Sequence, residues 1–158
     1  MLDILNVTLV PYGNSRTTGG KTTCQHGENE CIADSIEQCA IDIYPEFTKH
    51  YPFLYCMEGH GSNMLKYTEE CSKTAGLNYT QIEACSNDAA RVVALQARFA
   101  AMTPSDHKYT PWILVNGVLS KSDGDKLLDE VCTAYTGTWP AGCNTVLRET
   151  NQKCSADW

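Results

Sequence analysis

The chain has 158 residues, of which 42% are hydrophobic, and this length suits one domain with a sizeable core. It carries 19 acidic and 12 basic residues and a formal net charge of -7, with no cluster of Lys or Arg. This charge pattern argues against nucleic acid and anionic membrane surfaces as partners. No apolar run approaches the roughly 18 residues of a membrane span, so we expect no membrane partner.

Nine cysteines spread from Cys24 to Cys154 indicate a disulfide framework built in an oxidising compartment. Two glycosylation sequons, which begin at Asn6 and Asn78, also favour the secretory pathway. The first 14 residues lack the basic segment and the uninterrupted apolar segment of a signal peptide. We therefore expect a secreted protein whose leader was removed or whose true start lies upstream.

The first elements are read from apolar spacing. Residues 4–10 are β-branched and apolar and predict a strand, and a Gly- and Thr-rich stretch at 15–23 predicts a loop. Apolar residues then recur three and four apart, which predicts a helix from about Ala33 to Tyr44 and two shorter helical pieces between 53 and 71. A capping-box pattern at Thr80–Glu83 predicts the start of the longest helix, which ends near Met102.

The spacing of the apolar residues changes after Pro104. An apolar run at 112–115, followed by Asn116-Gly117, predicts a β-hairpin with Val118-Leu119 as the start of its return strand. Residues 122–125 predict the cap of a last helix that extends to about Tyr135. This order predicts an α/β fold with a helical insertion at about 31–102, followed by a polar tail at 144–158.

The residues by themselves favour no catalytic chemistry. No two cysteines form a Cys-x-x-Cys pair, so the usual dithiol redox centre is missing. Cys24, His26 and Cys31 lack the second ligand pair that zinc sites normally have, and we predict no metal and no cofactor. His50, His60 and His107 join no nucleophile signature, and there is no G-x-S-x-G or phosphate loop.

Structural disulfides are the simplest interpretation of the cysteines. Eight of them could form four bridges, and pairing Cys132 with Cys143 would contribute roughly 3 kcal/mol by loop closure. Sequence leaves the connectivity open, because eight thiols allow about 105 pairings. The ninth cysteine would be unpaired.

Three stretches carry a resemblance to a known family. Cys24-Gln25-His26-Gly27, Glu30-Cys31 and Cys39 resemble CQHGxxECxxNxxxxC, the signature of the gamma-interferon-inducible lysosomal thiol reductase family. Residues 6–14 resemble the family strand before the signature, and residues 109–117 resemble its later strand. The remaining matched cysteines follow in familiar order: Cys56, Cys71, Cys85, Cys132 and Cys143. Asp34 departs from the signature, which has Asn there.

The resemblance implies a thioredoxin-like fold. In that fold the bond between Thr110 and Pro111 would be cis and would form part of the substrate groove. Family members carry their Cys-x-x-Cys after a first strand, upstream of the segment matched here, and this sequence holds no such pair. We therefore expect residues 1–143 to be one thioredoxin-like domain without its first strand and helix, as in a fragment of a longer reductase.

The resemblance also implies a function. The complete form would reduce disulfide bonds of protein substrates in the lysosome or outside the cell, whereas these 158 residues would have little activity. We expect Cys24 and Cys31 to be structural, each bridged to another cysteine around the insertion. The alternative is a secreted, disulfide-stapled binding module without catalysis.

Overall fold

The computed structural model describes residues 2–122 and 124–144. The chain divides into two compact units, which we call the helical unit, residues 8–107, and the hairpin unit, residues 2–7 and 108–144. Over the described ranges the fold is mostly helical, with two two-stranded sheets, and is compatible with the α/β class. The single domain over residues 1–143 stays a prediction.

The stretch predicted as a loop contains a small hairpin. Strands β1, Arg16–Thr18, and β2, Lys21–Thr23, pair antiparallel. Gly19 and Gly20 form the turn with φ of 59° and 77°, a conformation that suits a two-residue hairpin loop. The hydroxyls of Thr17 and Thr22 lie 2.7 Å apart across the strands. The loop prediction was wrong because it weighed glycine content above the β-branched threonines on either side.

The strand predicted at residues 4–10 is absent. Leu2–Ile4 is a short 3-10 helix, and residues 5–10 have no regular secondary structure. No strand within 2–122 or 124–144 pairs with this segment. Leu9 and Val10 pack against the core of the helical unit instead, and the Gln38 side chain donates a 2.7 Å hydrogen bond to the carbonyl of Pro11. The path of this segment is therefore set by the burial of its side chains and not by hydrogen bonds to a neighbouring strand.

The helical unit contains five α-helices. They are α1, Glu28–Ile43; α2, Phe47–Gly59; α3, Thr68–Thr74; α4, Tyr79–Ser86; and α5, Ala89–Met102. A 3-10 segment at Gly61–Tyr67 leads from α2 into α3. The two short helical pieces predicted between 53 and 71 thus correspond to α2 and α3 with this segment between them.

The helix predicted to be longest is two helices, and α1 with 16 residues is longer than either. Asp88 accepts hydrogen bonds from the amides of Ala90 and Arg91, so it starts α5 as a new helix. Asn78, two residues before the predicted Thr80 cap, accepts from the Gln81 amide at 3.2 Å and starts α4. Local side-chain caps overrode the apolar spacing that runs through both helices.

The core of the helical unit lies between α1, α2, α4 and α5. Its most deeply buried apolar side chains are Phe53, Met57, Ile82 and Phe99. The disulfide Cys39–Cys85 ties α1 to α4 and closes a loop of 46 residues, which contributes about 4 kcal/mol in the chain-entropy model. Cys56–Cys71 ties α2 to α3. The unit thus has a packed core fastened by long-range bridges.

An ion-pair group joins the outer faces of α1 and α5. The Asp42 carboxylate accepts hydrogen bonds from Arg91 at 2.8 Å and Arg98 at 2.7 Å. The hydrogen bond from Arg91 is the main cause that lowers the pKa of Asp42, and Arg98 acts in the same direction. These partly exposed pairs orient the two helices more than they stabilise them.

The hairpin unit contains the predicted hairpin and last helix. Strands β3, Leu114–Val115, and β4, Val118–Leu119, pair antiparallel around Asn116 and Gly117, which have φ of 49° and 79°. Helix α6, Leu127–Ala134, follows and is tied by Cys132–Cys143 to a 3-10 turn at Ala141–Cys143. The Ser122 hydroxyl accepts from the Lys126 amide, in the region where the cap was predicted.

Within the described ranges, none of the helices is both long and apolar enough to cross a bilayer.

Candidate functional site

Thr110 and Pro111, the predicted substrate groove, lie in the hairpin unit directly before β3. Both residues are exposed, and the bond between them is cis. On either side, the rings of Tyr109 and Trp112 meet edge to face with centroids 5.0 Å apart. Exposure and the neighbouring aromatic rings make this segment available to a ligand, and its role as a groove stays a prediction.

The eight cysteines predicted to form bridges are paired in four disulfides. The pairs are Cys24–Cys31, Cys39–Cys85, Cys56–Cys71 and Cys132–Cys143. The expectation that Cys24 and Cys31 would each bridge to a different cysteine was wrong, because they bond to each other across 5.5 Å between their Cα atoms. Cys154 lies outside the described residues.

The loop from Cys24 to Cys31 folds back onto the start of α1. The Gly27 amide donates to the Cys24 carbonyl, and Gly27 has a φ of 94°, a conformation that side-chain-bearing residues rarely adopt. Glu30 accepts from the backbone amide of His26, and its carboxylate lies 3.3 Å from the His26 ring. This turn brings Cys24 back over the first turn of α1, where Cys31 lies.

Acidic side chains gather beside this disulfide. Glu30, Asp34 and Glu37 are spaced four and three residues apart and so share one side of α1, and Glu58 comes from α2. We call these four residues the acidic cluster. Burial is the largest cause that raises the pKa of Asp34 to about 7, and the charges of Glu30 and Glu58 add to it. Asp34 is therefore the member of the cluster that titrates near neutral pH.

Glu37 is the most buried member, with 3% of its surface exposed. Burial raises the pKa of its carboxyl well above the ordinary value, and the neighbouring charges of Glu58 and Asp34 act in the same direction. A hydrogen bond between the Glu37 and Glu58 carboxyls also favours the protonated form. The fold therefore favours the neutral form of the Glu37 carboxyl.

One member of the cluster touches the disulfide. The Asp34 Oδ2 atom lies 3.9 Å from Cys24 Sγ and accepts a 3.4 Å hydrogen bond from the Ser15 hydroxyl. A sulfur in a disulfide has no proton to donate, so a hydrogen bond here needs the proton on the carboxyl. The arrangement can thus present an acid to one sulfur of a disulfide.

Comparison with known proteins gives the family. A family model described as gamma interferon inducible lysosomal thiol reductase matches residues 1–75. Over 98% of its length the chain is 34% identical to a gamma-interferon-inducible lysosomal thiol reductase from Mus musculus, and over 96% it is 32% identical to one from Carassius auratus. The chain belongs to the gamma-interferon-inducible lysosomal thiol reductase family.

The chain matches only part of the length of these family members. An Arabidopsis thaliana protein named gamma-interferon-responsive lysosomal thiol protein is 32% identical over 90% of the chain. This chain spans 62% of that relative and 64% of the mouse and Carassius auratus ones. Activity and substrates of a whole family member are therefore matters of proposal for these 158 residues.

The sequence does not reveal the acidic cluster as a site. In the sequence, Asp34 is only a departure from the family signature, which has Asn at that position. That departure was the available signal, because it puts an ionisable group one helical turn after Cys31. Nothing in the sequence marks Glu37 as a site residue, because the sequence does not show that other parts of the fold cover its side of α1.

One group of side chains bears on the prediction that no metal is bound. Ligand atoms of Cys56, His60 and Cys71 lie within 4.8 Å of one another, but both sulfurs are bonded in a disulfide. The His60 ring stacks on Tyr67 with centroids 3.8 Å apart. Zinc binds thiolate, so this oxidised set does not present the cysteine ligands that zinc needs.

The two predicted glycosylation sites are exposed. Asn6 lies in the irregular segment at residues 5–10, and Asn78 is the cap of α4. The Asn78 side chain already accepts from the Gln81 amide at 3.2 Å. Exposure permits modification at both positions, and modification itself stays a prediction.

Proposed function

We propose that this chain serves in a protein thiol reductase that reduces disulfide bonds in protein substrates by thiol–disulfide exchange. The observation that carries the proposal is identity of 32% and 34%, over nearly the whole chain, with two relatives named as thiol reductases. In this chemistry a thiolate attacks a substrate disulfide, and a second cysteine releases the mixed disulfide that forms.

The attacking pair is the part that the 158 residues do not supply. They contain no Cys-x-x-Cys, the arrangement that usually acidifies one thiol for attack. In our proposal the chain contributes the scaffold and the substrate contact, and the attacking pair is not among its residues. By themselves these residues reduce protein disulfides little or not at all.

Thr110 and Pro111 are the proposed substrate contact. Both are exposed directly before strand β3, and in a thioredoxin-like arrangement such a segment faces the redox pair. Exposed backbone beside a short strand can hydrogen-bond an extended peptide. The thioredoxin-like arrangement, with the helical unit as its insertion, is part of this proposal.

The proposed place of action is the lysosome or the secretory pathway. Support comes from the four disulfides, which persist in oxidising compartments, and from the two exposed sequons at Asn6 and Asn78. The names of the mouse and Carassius auratus relatives point to the lysosome. The proposed partners are disulfide-containing proteins, without nucleic acid or membrane.

A second candidate is a secreted binding module without catalysis. It is favoured by the helical unit, which has its own apolar core and three of the four disulfides. A stapled core of this kind can present a rigid surface without any reactive thiol. Cooperative unfolding of the isolated, monomeric chain together with absence of reductase activity would favour this candidate.

Reduction of insulin tests the proposal. The purified chain is mixed with insulin and a dithiol as electron donor at acidic pH, and precipitation of the reduced insulin chains is followed against the dithiol alone. We expect a rate at background for the chain and for Cys154→Ser, its matched control. Turnover above background that survives Cys154→Ser would contradict the proposed lack of activity.

A further inference from the structure

The disulfide Cys24–Cys31 is the most accessible of the four bridges. Each of the other three has at least one cysteine that is 0% exposed, namely Cys39, Cys71, or both Cys132 and Cys143. Cys24 and Cys31 are both partly exposed. A thiol from solution must reach a sulfur along the S–S axis, so accessibility favours exchange at this bridge over the others.

The second observation is the acid that faces one sulfur. Asp34 Oδ2 lies 3.9 Å from Cys24 Sγ, within hydrogen-bond range for sulfur. When an S–S bond is broken by a thiolate, one sulfur leaves with a negative charge and needs a proton. Asp34 is placed to give that proton to Cys24 rather than to Cys31.

The groups around Asp34 keep its proton available at mildly acidic pH. The pKa of Asp34 is raised to about 7: burial is the largest cause, the charges of Glu30 on the same helix and Glu58 on α2 act in the same direction, and the hydrogen bond from Ser15 acts against them. Burial also raises the pKa of Glu37, on the next turn of α1. His26 faces Glu30, at 3.3 Å, rather than Asp34.

We propose that Cys24–Cys31 is an exchangeable disulfide that accepts two electrons from a dithiol, with the Asp34 carboxyl as the acid that protonates the departing Cys24 sulfur. The ligand class is therefore a small or protein-borne dithiol. The inference does not rest on the proposed function, because it concerns a bridge that the 158 residues contain and form.

The first step breaks the bridge. A thiolate of the dithiol attacks Cys31 Sγ and forms a mixed disulfide, while the S–S bond breaks and Cys24 Sγ leaves with the electron pair. Cys24 takes the proton of Asp34. The proton that the incoming thiol lost on ionising returns to the Asp34 carboxylate from solvent.

The second step releases the dithiol. Its other sulfur, as a thiolate, attacks the first and closes the dithiol's own disulfide, and Cys31 leaves as a thiolate. Cys31 lies in the first turn of α1, where the helix dipole stabilises negative charge, and it then takes up the proton lost by the second thiol. The dithiol is oxidised by two electrons, and Cys24 and Cys31 are reduced by two.

The variant that tests the acid is Asp34→Asn, which restores the residue of the family signature. Asparagine fits the same space and can hydrogen-bond to sulfur, but it has no proton to transfer at these pH values. Asp106→Asn is the matched control, since Asp106 is an exposed carboxyl of the same unit. Both variants replace one carboxyl with an amide.

The measurement compares two bridges in one sample. The chain is exposed to dithiothreitol between pH 4.5 and 8, samples are quenched with an alkylating reagent, and the opened cysteines are mapped by mass spectrometry. The quantity is the opening rate of Cys24–Cys31 divided by that of Cys56–Cys71, because ionisation of the attacking thiol affects both rates equally. Circular dichroism confirms that each variant is folded.

For the unaltered chain we expect the ratio of the two opening rates to be about 10 or more at pH 5. The ratio should fall by about tenfold as the pH rises past 7. Asp34→Asn should lower the ratio at pH 5 about tenfold and remove the fall, while Asp106→Asn should change neither. If Asp34→Asn does not fold, Ser15→Ala takes its place. Loss of the Ser15 hydrogen bond raises the pKa of Asp34, so the fall should move to higher pH.

Two results would overturn the inference. One is a ratio near one at pH 5, which would mean that Cys24–Cys31 opens no faster than the partly buried bridge where Asp34 should assist it. The other is an unchanged pH profile in Asp34→Asn, or in Ser15→Ala if that variant is used. Since no insulin is present, neither result bears on the proposed function. Insulin turnover that required Cys24 and Cys31 would contradict the proposed inactivity and support this inference.

Discussion

The helical unit and the hairpin unit bury their side chains to very different extents. In the helical unit, α1 and α2 pack with α4 and α5 around large apolar residues such as Phe53 and Phe99. In the hairpin unit, the buried cluster among described residues consists of Cys132 and Cys143 with Trp139 against them. Leu114 and Val118 on its strands are exposed.

The comparison teaches that the two units depend on different interactions. A packed core stabilises by burying apolar area, at about 25 cal/mol per Å². A unit with a small core depends more on its covalent bridge, and here that bridge is Cys132–Cys143. Exposed apolar strands also leave backbone groups open to a further strand or peptide, which agrees with the proposed substrate contact at Thr110 and Pro111.

The largest effect should come from the core of the helical unit. Phe99 is 1% exposed, and Phe99→Ala should lower the free energy of unfolding by about 4 kcal/mol, through lost burial and a cavity. The matched change in the hairpin unit is Val118→Ala, at a residue 67% exposed, with an expected change within about 0.5 kcal/mol. Urea unfolding followed by circular dichroism measures both, and similar costs would break the comparison.

The next effect should come from the bridge of the hairpin unit. Replacing both Cys132 and Cys143 by Ala removes an 11-residue loop closure, and α6 should lose about 3 kcal/mol of protection. Hydrogen exchange at the amides of α6 measures this loss, and the amides of α5 in the same sample serve as the control. Equal loss of protection in α5 would show that the two units do not differ in the way described here.

The smallest effect is a pH dependence of the helical unit. Asp34 and Glu37 bind protons more tightly in the folded than in the unfolded chain, because burial raises both pKa values. The contribution of Asp34 is therefore complete below about pH 4 and is lost as the pH rises through about 7. The contribution of Glu37 is also lost as the pH rises. For Asp34 the shift corresponds to at most about 4 kcal/mol, and we expect roughly half because solvent screens a partly exposed carboxyl.

Thermal unfolding between pH 5 and pH 8 measures this dependence. The unaltered chain should unfold at a lower temperature at pH 8 than at pH 5, and the double variant Asp34→Asn with Glu37→Gln should show a smaller difference. Asp106→Asn is again the control. A chain that becomes more stable as the pH rises over this range would contradict the raised pKa values of Asp34 and Glu37.

Local signals in the sequence were reliable where a few neighbouring residues determine the structure. Asn116-Gly117 predicted the hairpin of β3 and β4, since both positions adopt positive φ. The same reasoning failed at residues 15–23, where glycines were taken for a loop although the threonines beside them pair. It also failed at Asn87 and Asp88, where a cap divides one apolar pattern into α4 and α5.

The sequence by itself determined the family, through residues such as Cys24, His26 and Cys31, and it determined that the cysteines form bridges. It could not determine which cysteines pair, because pairing depends on how helices bring distant sulfurs within bonding range. Tertiary structure decided that Cys24 bonds to Cys31. It also decided that the pKa values of Asp34 and Glu37 are raised, because a carboxyl's pKa follows from the burial and charges that the fold places around it.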